Sequence, residues 1–187
     1  NLIKPIYQVE NQYSKGVKVG RFNRERAKGK YIAVCEGDDY WIDPYKLQKQ
    51  VDYMQNNLEC SLCVHASYRI SPDKCNIKKL SRPNQGNKFY EVEEIIKGGG
   101  LLFATSSMLY SAKYKNNRPK FFDNAPVGDY PLAIYLALQG TVYYIDEFMS
   151  IYRMGVKGSW TERIFWDIKK RAEYAKKRAR MLEEINR

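Results

Sequence analysis

Tyr31-Ile32-Ala33-Val34-Cys35, followed at once by Glu36-Gly37-Asp38-Asp39, is the stretch that decides the fold. The first half is a short apolar run of strand-forming residues and the second is an acidic turn, so we expect a buried strand that ends in carboxylates. In open α/β sheets, ligands bind beyond the C-terminal ends of the strands. Neighbouring Asp residues after a flexible Gly suit a hard divalent cation, although a plain turn before a helix has the same sequence.

The pattern around this stretch alternates between strands and helices. Asp43-Pro44 predicts the start of a helix whose apolar positions are Leu47, Val51 and Met54. A strand is expected at 61–70 and a long polar loop at 71–87. Further elements are expected in the order helix 92–97, strand 101–111, helix 131–139, and strands 141–145 and 149–154. This alternation predicts a single α/β fold.

The chain is expected to end in a long amphipathic helix over 161–186. Its apolar stripe would consist of Ile164, Ile168, Ala172, Ala175, Ala179 and Leu182. The opposite face is strongly basic, so the helix could meet an anionic membrane, a second copy of the chain, or the rest of its own domain.

Composition narrows the function classes without choosing one. The chain has 187 residues, about one domain, and a formal net charge of +11. Such an excess favours a polyanionic partner, which includes nucleic acid, anionic membranes and phosphorylated small molecules. The longest apolar stretch, Tyr130–Leu138, is far shorter than the roughly 20 residues of a membrane-spanning helix.

Four neighbouring runs carry a resemblance to a known family. They are Ala27-Lys28-Gly29-Lys30-Tyr31-Ile32-Ala33, Glu36-Gly37-Asp38-Asp39-Tyr40-Trp41, Asp43-Pro44 and Lys46-Leu47-Gln48-Lys49-Gln50-Val51. Together they closely resemble family 2 glycosyltransferases. The resemblance implies a GT-A-like, Rossmann-like mixed sheet flanked by helices over 1–160, followed by the basic amphipathic helix at 161–187. Nothing matches the family's opening strand, so we expect the nucleotide-binding half to be incomplete at its N-terminus.

The resemblance also implies roles for the acidic motif. Asp39 and Asp38 would hold Mn²⁺ or Mg²⁺, and Glu36 and Asp38 would contact the nucleotide-sugar donor. Arg21 and Arg26 precede the strand, where the family often carries donor-facing residues, although the spacing is shorter here.

A second block resembles the later motifs of the same family. It comprises Gly128-Asp129-Tyr130-Pro131-Leu132 and Met149-Ser150-Ile151-Tyr152-Arg153. By resemblance, Asp129 is the general base, a role that suits a carboxylate held near a helix N-terminus. Gly128 and Trp160 would lie on the acceptor side.

The expected activity is an inverting, metal-assisted transfer of a sugar from a nucleoside diphosphate sugar to a hydroxyl of a glycan or lipid-linked acceptor. We expect a cytoplasmic protein, either free or peripheral on the inner face of the membrane. The alternatives are a basic nucleic-acid-binding protein and a non-catalytic interaction domain. No nucleic-acid motif is present, so a nucleic-acid partner is not expected.

Overall fold

The computed structural model describes residues 4–12, 14–71, 74–156, 159, 162, 164 and 167–186, with backbone only at 71 and 74–79. The strands are β1 (Tyr31–Ala33), β2 (Tyr40–Trp41), β3 (Cys60–Ser71), β4 (Lys74–Ser81), β5 (Lys88–Tyr90), β6 (Leu109–Ser111) and β7 (Thr141–Arg153). The α-helices are α1 (Gly20–Arg26), α2 (Lys46–Asn56), α3 (Val92–Gly98), α4 (Asp129–Ala137) and α5 (Ile168–Ile185).

These strands form one mixed sheet in the order β1-β6-β3-β7-β2, with β4 added to β3 and β5 added to β7. Its centre is the parallel pair β3 and β7, which runs from Cys60 opposite Thr141 to Ile70 opposite Arg153. The other pairs are antiparallel. The predicted mixed α/β sheet flanked by helices is confirmed, and it is consistent with a Rossmann-like fold.

Successive side chains of β3 point to opposite faces of the sheet, and residues 60–67 are all buried, so the sheet buries both of its faces. Leu62, Val64 and Ala66 belong to the core on the side of α3, α4 and α5. Cys63 belongs to the second core, which contains Met54 of α2. Helices therefore cover both faces, as the sequence pattern predicts for an α/β fold.

Several predicted elements are corrected by the structure. The predicted loop at 71–87 contains β4, which pairs with the end of β3. The two strands predicted at 141–145 and 149–154 are one strand, β7. The strand predicted at 101–111 is reduced to β6, because short 3-10 turns occupy 99–101 and 105–107.

Helix α2 begins at Lys46 rather than at Pro44, and its inward face differs from the predicted stripe. The buried positions are Lys46, Gln50 and Met54, whereas Leu47 is 40% exposed. The helix therefore turns two polar side chains towards the sheet, where the polar layer described below satisfies them.

The C-terminal helix α5 begins at Ile168, where the Asp167 carboxylate accepts hydrogen bonds from the backbone amides of Lys169 and Lys170. The predicted stripe is wrong, since Ile168 is 81% exposed. Met181 instead is fully buried in the core beside α4, with Leu182 and Ile185 packed against it.

The helix is thus attached to the same core as the sheet. The predicted division between 160 and 161 falls where only part of the chain is described, and it stays a prediction. None of the described helices combines the length and the apolar character needed to cross a membrane.

Candidate functional site

The acidic loop 34–39 continues directly from β1. The backbone amide of Val34 still donates to Met108 O, at 3.0 Å, which extends the pairing of β1 with β6 by one residue. The amide of Asp39 then donates to Glu36 O at 3.1 Å and closes a tight turn. The chain therefore places Glu36, Asp38 and Asp39 at the C-terminal end of β1, as the sequence predicts.

Asp39 is held by the end of β7. Its Oδ1 accepts a hydrogen bond from the backbone amide of Arg153 at 3.0 Å, and the Arg153 side chain donates through Nε to Asp38 O. Asp39 is only 7% exposed, and its Oδ2 is buried without a hydrogen-bond partner. Burial raises the pKa of Asp39 to about 6, although hydrogen bonds from the Arg153 amide and the Ser106 side chain oppose this rise.

Asp129 is the first residue of α4, and it lies close enough to Glu36 for its charge to act on that carboxyl. Its Oδ1 accepts from the backbone amide of Tyr130 at 2.8 Å, and Thr105 Oγ1 donates to its Oδ2 at 3.3 Å. Burial raises the pKa of Asp129. The pKa of Glu36 rises to about 7, first through burial and then through the negative charge of Asp129. We call Glu36, Asp38, Asp39 and Asp129 the acidic cluster.

The acidic cluster concentrates negative charge that a cation or a proton would relieve. Within the ranges that the structure describes, no three side chains of the metal-binding kind converge on one point. Asp38 and Asp39 alone would therefore hold a cation only together with oxygen atoms of a substrate. Mg²⁺ is commonly bound in this way, by one or two carboxylates and substrate phosphates.

The remaining predicted site residues have different positions. Arg21 and Arg26 lie on α1, both exposed, and the Arg21 guanidinium lies over the neighbouring Phe22 ring at 5.1 Å. In the part of the chain that is described, the structure does not bring either into contact with the acidic cluster. Gly128 is exposed and directly precedes α4. Trp160 lies outside the described residues. The proposed roles of these residues stay predictions.

Sequence reasoning missed two contributors to the site, Arg153 and Thr105, which hold the carboxylates. The run that ends in Tyr152-Arg153 did carry a signal for Arg153, because the C-terminal end of a parallel strand lies at the ligand-binding edge of the sheet. Thr105 carried none, because it lies in a short 3-10 turn.

Helix α5 also reaches this region through Tyr174. A Cβ atom placed on Gly100 would lie 3.9 Å from Tyr174 Oη, so the Tyr174 phenol packs beside the 99–101 turn. Burial raises the pKa of Tyr174, and the charge of Asp129 raises it further. The C-terminal helix therefore forms part of the wall beside Asp129.

A polar layer lies on the α2 side of the sheet. Lys46 is 1% exposed, with its ammonium 4.4 Å from the centre of the Trp41 ring. Its Nζ donates to Gln50 Oε1 at 2.7 Å, while Gln50 Nε2 donates to the carbonyls of Cys63 and Ser107, both at 2.9 Å. Burial lowers the pKa of Lys46 to about 8. We call these groups the Lys46–Gln50 network.

The network and the acidic cluster share one neighbouring turn. Trp41 Nε1 donates to Ser106 O at 2.9 Å, next to Thr105, which bonds Asp129. The Ser106 and Ser150 hydroxyls lie 3.2 Å apart, and Ser150 bonds Ser67 at 2.7 Å. The 105–107 turn therefore joins the functional residues to the buried framework.

Sequence comparison gives this geometry a context. Over 141 residues, the chain is 28% identical to an uncharacterized glycosyltransferase of Methanocaldococcus jannaschii. This match covers 74% of this chain and 47% of that relative. The chain is similar to a glycosyltransferase. No model of a known protein family matches it.

Two further relatives come from mycobacteria. Uncharacterized proteins of Mycobacterium tuberculosis and Mycobacterium bovis are each 31% identical to the chain over 150 residues. The match covers 75% of this chain and 41% of each relative. The chain thus spans less than half the length of the curated relatives that it matches.

Proposed function

We propose that this chain carries the catalytic site of a family 2-like inverting glycosyltransferase. The enzyme would transfer a sugar from a nucleoside diphosphate sugar to a hydroxyl of a glycan or lipid-linked acceptor. The observation that carries the proposal is the meeting of the carboxylates that follow β1 with Asp129 at the start of α4. The similarity to a glycosyltransferase supports the same reaction class.

The donor side of the site is assigned to the β1–β2 loop. Asp39 and Asp38 would hold Mg²⁺ or Mn²⁺, and the buried, unpartnered Oδ2 of Asp39 is an oxygen suited to that purpose. Such a cation, when bound, neutralises the diphosphate leaving group. Glu36 would contact the donor, and Arg21 and Arg26 would face it.

The acceptor side is assigned to Asp129, which would accept the proton of the attacking hydroxyl. Its raised pKa makes it a stronger base than an ordinary carboxylate, and the Tyr130 amide fixes its orientation. Gly128 and Trp160 would border the acceptor. An acceptor linked to a lipid would suit a cytoplasmic enzyme at the inner membrane face, where α5 presents its exposed basic residues.

The test is a titration of the full-length protein with UDP- and GDP-sugars, with and without Mn²⁺. We expect saturable binding that needs the cation and is lost in Asp39→Ala. Asp52→Ala is the matched control, since Asp52 is an exposed carboxylate of α2 that bonds Gln48. A flat titration in the unmodified protein would reject the proposal.

A second variant separates donor binding from chemistry. Asp129→Asn should retain donor binding and lose at least about 10²-fold in turnover, the usual contribution of a general base. Unchanged turnover in this variant would remove Asp129 from the mechanism while leaving the donor side intact.

A further inference from the structure

A group of positive charges lies on the side of the molecule formed by α1 and the segment 112–122. The Lys115 ammonium donates to Ala27 O at 2.6 Å, and so ties that segment to the end of α1. The Lys18 ammonium donates to Phe122 O at 2.7 Å. The Arg118 guanidinium lies over the Phe122 ring, 4.7 Å from its centre. Arg24 lies in the last turn of α1, one turn before Ala27.

Arg24 and Arg118 both lie close to the buried Tyr110, and the Arg118 guanidinium shares a hydrogen bond with the Tyr110 hydroxyl. Both guanidinium groups act on the Tyr110 phenol, and the charge of Arg24 acts on Arg118. Both arginines are half-buried, and Arg118 Nε is buried without a hydrogen-bond partner. Burial lowers the pKa of Arg118, and the charge of Arg24 lowers it further.

This arrangement is unfavourable unless a negative charge joins it, because two partly desolvated like charges repel each other. Other described arginines bond either neutral oxygen atoms, as Arg69 does, or carboxylates. Arg82, for example, donates through both Nε and Nη2 to Asp146, at 2.7 and 2.6 Å. Among the described side chains, none of the ion pairs includes Arg24 or Arg118.

We propose that Arg24, Arg118 and the Tyr110 hydroxyl form a binding site for a phosphoryl group, separate from the acidic cluster. A phosphoryl group offers two negative charges and several oxygens, which suits two guanidinium forks better than a single carboxylate does. Asn117 and Pro119, on either side of Arg118, line a neighbouring cleft of about 650 Å³, whose other lining side chains include Lys113 and Glu184.

The site is distinct from the catalytic region. Tyr135, which lines the same cleft as Asn117 and Pro119, lies on α4 six residues after Asp129, which corresponds to about 9 Å of helix. The acidic cluster repels anions when no cation is present, so metal-free conditions isolate the cationic site. Its test therefore does not depend on the proposed transferase activity.

The probe is inorganic pyrophosphate, added to the full-length protein in a phosphate-free buffer that contains EDTA. Binding is measured by calorimetry and by the rise of the thermal unfolding midpoint. We expect saturable binding by the unmodified protein, and at least about ten-fold weaker binding by Arg24→Gln, because a hydrogen bond to a charged group is lost. Asp39→Asn should bind pyrophosphate as the unmodified protein does.

Two further variants keep the result interpretable. Lys88→Gln removes one positive charge from an ion pair with Glu94 and should bind normally. Arg118→Lys keeps the charge but loses the planar fork and should bind more weakly. Without pyrophosphate, Arg24→Gln should unfold at the same or a higher temperature than the unmodified protein. No saturable binding, or an equal loss in Lys88→Gln, would overturn the proposal.

The source of the phosphoryl group is determined in parallel with sedimentation of vesicles. Phosphatidylcholine vesicles with phosphatidic acid are compared with phosphatidylcholine alone. Binding to the acidic vesicles that Arg24→Gln loses would identify a lipid headgroup. Binding of pyrophosphate without vesicle binding would identify a soluble ligand.

Discussion

Asp39 of the acidic cluster and the Lys46–Gln50 network both place charged or polar side chains inside the protein, but these side chains are satisfied in opposite ways. In the network, Gln50 meets one ammonium and two carbonyls, and Lys46 also contacts an aromatic face. In the acidic cluster, Asp39 keeps a buried oxygen without a partner, and the charges of neighbouring carboxylates add to the burial that raises the pKa of Glu36 and Asp39. The Lys46–Gln50 network is therefore a framework that stabilises the fold. The acidic cluster is a site whose missing partner comes from outside the chain.

The strongest test of this contrast is Gln50→Leu. We expect the free energy of unfolding to fall by about 3 kcal/mol, because the carbonyls of Cys63 and Ser107 and the Lys46 ammonium lose their partner in the interior. Urea denaturation followed by circular dichroism measures the change. Gln48→Leu, on the exposed side of the same helix, is the control, and an equal loss there would contradict the assignment.

Asp39→Asn should have the opposite sign. The variant keeps an oxygen for the Arg153 amide but removes a buried charge whose pKa is raised to about 6. We expect the free energy of unfolding to rise by about 1–2 kcal/mol at neutral pH, an effect smaller than the full pKa difference implies because the new amide hydrogens need partners. A loss of stability comparable to that of Gln50→Leu would place Asp39 in the framework.

The pH dependence of stability gives a smaller effect. The folded chain raises the pKa of Glu36 from 4.5 to about 7 and that of Asp39 from 3.8 to about 6. The folded state therefore binds these protons more tightly than the unfolded state does. Their stabilising contribution is complete below about pH 4 and is lost as the pH rises through 6 to 7.

Glu36→Gln isolates the contribution of Glu36 to this slope. Neighbouring groups partly desolvate the Glu36 carboxyl, but much of the residue's surface still reaches solvent, so screening reduces its share to about 1 kcal/mol. Urea denaturation between pH 4 and 8 should show that the free energy of unfolding falls less steeply with pH in the variant than in the unmodified protein. Identical pH profiles for the two proteins would remove Glu36 from the coupled carboxylates.

The smallest effect is expected from Thr105→Val. The Thr105 hydroxyl lowers the pKa of both Asp129 and Glu36. Its removal should raise the titration midpoint of Glu36 by about half a pH unit with little change in stability. Carboxyl ¹³C chemical shifts followed over pH provide the measurement, and Thr105→Ser should titrate like the unmodified protein.

The sequence predicted the elements whose periodicity is strong. Strand β3 and helix α4 lie within one or two residues of their predicted starts, because their apolar runs end at clear turn residues. Strand β4 was not predicted, since it is polar and exists through pairing with the end of β3. The face of α5 that packs against the core contains Met181. Tertiary packing determines which face this is, and the predicted alanine stripe does not.

The site was predictable only in part for the same reason. The position of Asp39 follows from local sequence, because the strand and the acidic turn are adjacent. Its contact with Arg153 joins residues 114 positions apart, and no local pattern indicates such a distance. The Arg24 and Arg118 pair likewise depends on how the segment 112–122 folds back onto α1.

The parallel pairing of β3 with β7 has a consequence for how the chain folds. Cys60 pairs with Thr141, so about 80 residues must be looped out before the centre of the sheet closes. Such long-range pairing is slow compared with the formation of local helices. Asp39 meets Arg153 only at the end of that ladder, so we expect the carboxylates to be brought together late in folding, at the kinetic step that completes the sheet.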